Sequence, residues 1–123
     1  MDRIIDLDQA AAEITARLPA WTASGLGAGP VTWGDETAPW PQRLETGRTL
    51  VADPDSIGIR ILGTDEWAEL HLVLYRGGWA DLHALTDDEV ITECPQVTTR
   101  EEFGQLLDSA VTRFLGASRP SAT

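Results

Sequence analysis

The stretch Leu70-His71-Leu72-Val73-Leu74-Tyr75-Arg76-Gly77-Gly78-Trp79-Ala80-Asp81-Leu82-His83-Ala84-Leu85 decides how this chain folds. Two alternating runs flank an Arg-Gly-Gly turn, and alternation with period two is the mark of a half-buried strand. One parity carries Leu70, Leu72, Leu74, Leu82 and Ala84; the other carries His71, Val73, Tyr75, Trp79, Asp81 and His83. A three-residue turn closed by a glycine bulge pairs Tyr75 with Trp79, Val73 with Asp81, His71 with His83 and Glu69 with Leu85. Leu72 then faces Leu82 on the side a core requires. A two-residue loop pairs Leu72 with Asp81 and mixes the faces, so the three-residue alignment is preferred.

Outward from this hairpin the β pattern continues. Strands are expected near 47–52, 56–62, 66–75, 79–85 and 89–94, separated by turns at 53–55, 63–65, 76–78 and 86–88. Connections this short join antiparallel neighbours, so the order is a meander. A helix is expected over about 6–18, with Asp6 as its cap, Gln9 at the reciprocal capping position, and Leu7, Ala11, Ile14 and Leu18 on one face; Pro19 should end it. A second helix is expected over about 100–115. Thr99 and Glu102 form its capping box (Thr98 with Glu101 is the alternative), and Phe103, Leu106, Leu107, Ala110, Val111 and Phe114 form its apolar stripe, with Gly116 as the stop. The expected fold is one α+β domain over 1–123, an antiparallel sheet of about five or six strands with both helices on one face. The tail 117–123 should fray. The connection 20–45 is rich in Gly and Pro and holds Trp21, Trp33 and Trp40. Pro30–Trp33 reads as a short strand within it, and its tryptophans must pack on something.

The chain has 123 residues and a net charge of -11. Residues 1–61 contribute five Arg against nine acids, and 62–123 contribute four Arg against eleven, so the second half is the more acidic. That balance disfavours nucleic acid and anionic membranes and favours basic partners. There is no lysine and no asparagine, a bias that points to a GC-rich bacterial coding background. The acidic start Met1–Asp6 lacks the signature of a signal peptide and no run is long enough to span a bilayer, so a cytoplasmic protein is expected. Cys94 is the only cysteine. It excludes an intrachain disulfide and a multi-thiolate zinc site. Lying between Glu93 and Pro95, it reads as a small half-buried side chain whose thiol is kept protonated by the neighbouring carboxylate. Gly25-Leu26-Gly27-Ala28-Gly29-Pro30 fails as a phosphate loop, because Pro30 takes the sixth position and a helix precedes it.

Two clusters are candidates for function. On the non-leucine face, His71 and His83 with Asp81 and Glu69 admit three readings: a covered or partner-binding face, an acid/base pair of His71, His83 and Asp81, or a metal site of His71, His83, Asp81 and Glu69. The first is preferred, and no cofactor is expected. Meander topology also brings the turns 63–65 and 86–88 to one end, gathering Asp65, Glu66, Asp87, Asp88 and Glu89 at one rim. These acids, with Trp33, Trp40, Trp67, Tyr75 and Trp79 as aromatic anchors, define the expected function: a non-catalytic domain of immunity-protein, antitoxin or dedicated-chaperone type that masks a basic protein. The alternative is a small enzyme or ligand carrier with a pocket between the His71/His83 face and the 20–45 connection.

Overall fold

The computed structural model describes residues 2–39, 43–65 and 67–116. Trp40, Glu66 and the tail 117–123 lie outside the described residues. Helix α1 spans Leu7–Ala23, followed by the short strands β1 (Gly27–Ala28) and β2 (Thr32–Asp35). The meander β3 (Pro54–Leu62), β4 (Glu69–Tyr75), β5 (Trp79–Leu85) and β6 (Val90–Glu93) comes next, and α2 (Arg100–Ala110) runs into a wider π-type turn, Val111–Leu115. Among the described residues the sheet has six strands in the order β1-β3-β4-β5-β6, with β2 also on β3, and all these pairs are antiparallel. This is the α+β architecture read from the sequence. The hairpin register is also the one expected: Tyr75 opposite Trp79, Val73 opposite Asp81, His71 opposite His83 and Leu72 opposite Leu82. Gly78 closes the turn at φ 101, a left-handed conformation that glycine adopts without penalty.

The leucine parity is the core. Ile57, Ile59, Ile61, Leu70, Leu72, Leu74, Leu82 and Ala84 are buried together with Ala10, Ile14 and Trp21 of α1 and Phe103, Leu107 and Ala110 of α2. Both helix starts are built as expected. Asp6 accepts from the amides of Asp8 and Gln9, and Thr99 with Glu102 forms the reciprocal box. The helices are also joined across their faces: Arg17 holds Asp108 at 2.7 Å and Glu13 at 3.0 Å, and Glu13 in turn holds Arg100 at 2.6 Å. Among the described residues no helix is long and apolar enough to cross a membrane.

Three local expectations are corrected. The first helix does not stop at Pro19 but continues to Ala23. A proline inside a helix costs about 3 kcal/mol. Burying an indole of roughly 150–250 Å² at about 25 cal/mol per Å² is worth about 4–6 kcal/mol. Trp21 is buried one half-turn beyond the proline, so the anchor outweighs the break. The stretch 47–52 is not a strand; Arg48–Leu50 is a single 3₁₀ turn. Its backbone is claimed locally: Arg48 donates to the Val51 carbonyl, and the amides of Ala52 and Asp53 donate to the Asp35 carboxylate. Cys94 is exposed rather than half-buried.

Asp35 is the hub of this corner. The hydroxyl and amide of Thr37, with the amides of Ala52 and Asp53, all donate to its carboxylate. Four donors favour the charged form, and the Asp35 pKa falls from 3.8 to about 2, with the Thr37 hydroxyl the largest cause and burial opposing. A depressed carboxylate pKa adds stability that is present above the unfolded value and is lost as pH falls through the folded one. Asp35→Asn is therefore expected to unfold more readily than wild type at pH 7. The gap should close between about pH 4 and pH 2. Urea midpoints at pH 7, 4 and 2.5 test this; a gap independent of pH would refute it.

Candidate functional site, the outer sheet face

The helices cover one face of the sheet. On the other, the register lays side chains in four cross-strand rows. Leu62, Glu69, Leu85 and Val90 form the first; Arg60, His71, His83 and Thr92 the second. Gly58, Val73 and Asp81 form the third, and Ser56, Tyr75 and Trp79 the fourth.

The second row contains the histidine pair. His71 is half-buried, and burial first, then the neighbouring His83, hold its pKa below the ordinary value. His83 is exposed, with Nδ1 3.4 Å from the Thr92 hydroxyl. The carboxylates expected to join them are engaged elsewhere. Glu69 binds Arg60, whose Nε donates to it at 2.6 Å. Asp81 accepts from the Cys94 thiol at 3.4 Å and hydrogen-bonds Tyr75. Among the described residues no group of three or more His, Cys, Asp and Glu side chains is placed to hold a metal ion. The carboxylate beside Cys94 is thus Asp81 across the strands, and its hydrogen bond raises the thiol pKa. Glu93 turns instead to Arg113 at 2.7 Å.

In the fourth row the Tyr75 and Trp79 rings stack, with centroids 5.1 Å apart and planes 19° from parallel. Burial, then the charge of Asp81, raises the Tyr75 pKa, so this phenol is a neutral contact group rather than a base. Trp33 is no anchor on this face. Its side chain lies in the core, with Arg48 5.2 Å from its ring centroid.

The first row is the feature that sequence reasoning missed. Leu62, Leu85 and Val90 are 46%, 39% and 67% exposed, and Trp67, on the turn beside them, is 48% exposed. A signal was available: Leu62 and Leu85 are out of phase with Ile57, Ile59 and Ile61 and with Leu82, so they had to face outward. Beyond this row lies the predicted acidic rim. The pairing of Leu62 with Glu69 and of Leu85 with Glu69 and Val90 brings the turns 63–65 and 86–88 to the same end. Asp65, Asp87, Asp88 and Glu89 are exposed there, with Asp88 accepting from the Thr86 hydroxyl at 2.9 Å.

Seven arginines are turned to carboxylates other than those of this rim. Arg3, Arg17, Arg48, Arg60, Arg76, Arg100 and Arg113 each engage carboxylates away from it. The outer face therefore presents an apolar row with an indole, bordered by exposed carboxylates. No family model matches the chain, and comparison with curated proteins and with solved structures finds no match either.

Proposed function

We propose that this protein is a small acidic, non-catalytic binding domain of immunity-protein, antitoxin or dedicated-chaperone type, which masks a basic partner protein in the bacterial cytoplasm. The observation that carries the reading is the exposed row Leu62, Leu85 and Val90 with Trp67, set against Asp65, Asp87, Asp88 and Glu89. Exposed apolar patches rimmed by polar groups are the ordinary form of a protein contact surface. Charge of one sign at the rim steers an oppositely charged partner into encounter. Tyr75 and Trp79 extend the contact area toward the far end of the same face.

The acid/base reading has less support, because His83 is exposed and paired with Thr92 while His71 is half-buried beside Arg60. The lysine-free composition favours a bacterial origin, and the net charge of -11 sets the protein against nucleic acid.

The test compares wild type with the variant Asp65→Asn/Asp87→Asn/Asp88→Asn/Glu89→Gln in binding the partner recovered from the native host. A stoichiometric basic partner is expected, with an association rate on the order of tenfold lower for the variant and a flatter salt dependence. An acidic partner, or unchanged rate and salt dependence, would overturn the reading.

A further inference from the structure

The near edge of the sheet carries a second site. The neighbour of β3 on this side is split: β1 pairs with Ile61 and Leu62, while β2 pairs with Pro54 to Gly58. Between them the chain passes through Gly29 and Pro30, and the Gly29 amide donates to the Arg60 carbonyl at 2.9 Å. This detour leaves a cavity of about 340 Å³ on the outer face, walled by Pro30, Leu44 and Leu62, with Gly58, Thr32 and His71 facing it and Arg60 at its rim. We infer that this cavity binds a compact, uncharged aromatic molecule carrying one N–H or O–H group.

The size comes first. Small-molecule sites range over about 300–1,000 Å³, so this one suits a molecule of one or two fused rings. Glycine inside a strand marks close approach of another group. Gly58 is such a position, and a Cβ there would lie 2.7 Å from the Thr32 hydroxyl oxygen. The missing side chain keeps the cavity floor low and leaves that hydroxyl beside it.

Charge selects the ligand. The lining guanidinium is already bonded to Glu69, so among the described residues that line the cavity an anion finds no free cation. No carboxylate is among the described residues that line the cavity, so a cation finds no partner either. An isolated charge in apolar surroundings is strongly disfavoured, and an uncharged body is not. The polar contact falls to His71 and Thr32. With its pKa held low by burial and by His83, His71 is a neutral imidazole near pH 7, able to donate from one nitrogen and accept at the other. A single N–H or O–H on the ligand matches it.

This site shares Leu62 with the proposed partner face, but its test uses different residues and a different readout. Labelled protein is titrated with indole and followed by amide chemical shifts. Saturable changes are expected at Gly29, Gly58 and His71, with Trp79 and Val90 unmoved. Benzene, which lacks the polar hydrogen, should bind several-fold more weakly, and benzoate, which carries a charge, should not bind. Leu44→Glu puts a carboxylate on the apolar wall and should raise the indole Kd at least tenfold. Leu44 is exposed, so this variant keeps the fold, and unchanged amide shifts in the core verify it. Absence of saturable shifts at the three amides, benzoate binding as well as indole, or a Leu44→Glu Kd within twofold of wild type would each overturn the inference.

Discussion

Arg76→Ala is expected to destabilise the protein by about 3 kcal/mol, because it removes a buried guanidinium shared by two carboxylates and a backbone carbonyl. Arg76 sits in the Arg-Gly-Gly turn, a place where arginine is usually solvated, yet it is only 5% exposed. Its guanidinium holds Asp53 at 2.7 Å, also binds Glu36, and donates to the Pro54 carbonyl. Asp53 is shared with Arg3 at 2.6 Å. Removing Arg76 takes a donor from three acceptors at once. A loss of that size lowers the thermal midpoint by on the order of 10 °C in a domain of this length. Arg76→Lys should fall between the two, since an ammonium cannot span several acceptors as a planar fork does. Urea or thermal denaturation of the three proteins decides it. An Arg76→Ala variant within about 1 kcal/mol of wild type would mean that the pairs only balance their desolvation.

The second large effect concerns binding. Leu85→Ser with Val90→Ser should weaken partner affinity by about a hundredfold. Each apolar side chain removed from an interface centre is worth on the order of 1.5 kcal/mol, and each 1.4 kcal/mol is a factor of ten. Both positions are exposed in the free protein, so the fold should be spared, with a thermal midpoint within a few degrees of wild type. The loss should lie in the dissociation rate, whereas neutralising the rim acts on association. Surface plasmon resonance at two salt concentrations separates the two. Unchanged dissociation in the double variant would move the interface away from this row.

The fold was largely legible because the hairpin states its own alignment. Only one turn length puts Leu72 opposite Leu82, and once that is fixed the faces of the neighbouring strands follow. The helix caps at Asp6 and Thr99 were readable for the same reason: the signal and the structure lie within four residues of each other. What was not legible depended on distant partners. Nothing near Pro19 announces that Trp21 will be buried and carry the helix onward. Nothing in 47–52 reveals that Asp35 will take the amides of Ala52 and Asp53 from a strand ladder. The candidate site followed the same division. The opposition of His71 and His83 and the gathering of Asp65, Asp87, Asp88 and Glu89 came from register and topology alone. That Trp33 turns inward, and that Glu69 and Asp81 already have partners in Arg60 and Cys94, required side-chain packing from elsewhere in the chain.

The backbone of Arg76 carries a further consequence. Its carbonyl accepts from the amides of Ile4 and Ile5, at 2.8 and 3.2 Å. A one-residue slip of the β4–β5 hairpin would exchange its leucine and histidine faces. The same slip would carry residue 76 away from the N-terminal segment and from Asp53 together. The start of the chain can therefore close only over a correctly aligned hairpin, and it proofreads from a distance the choice on which both faces of the sheet depend.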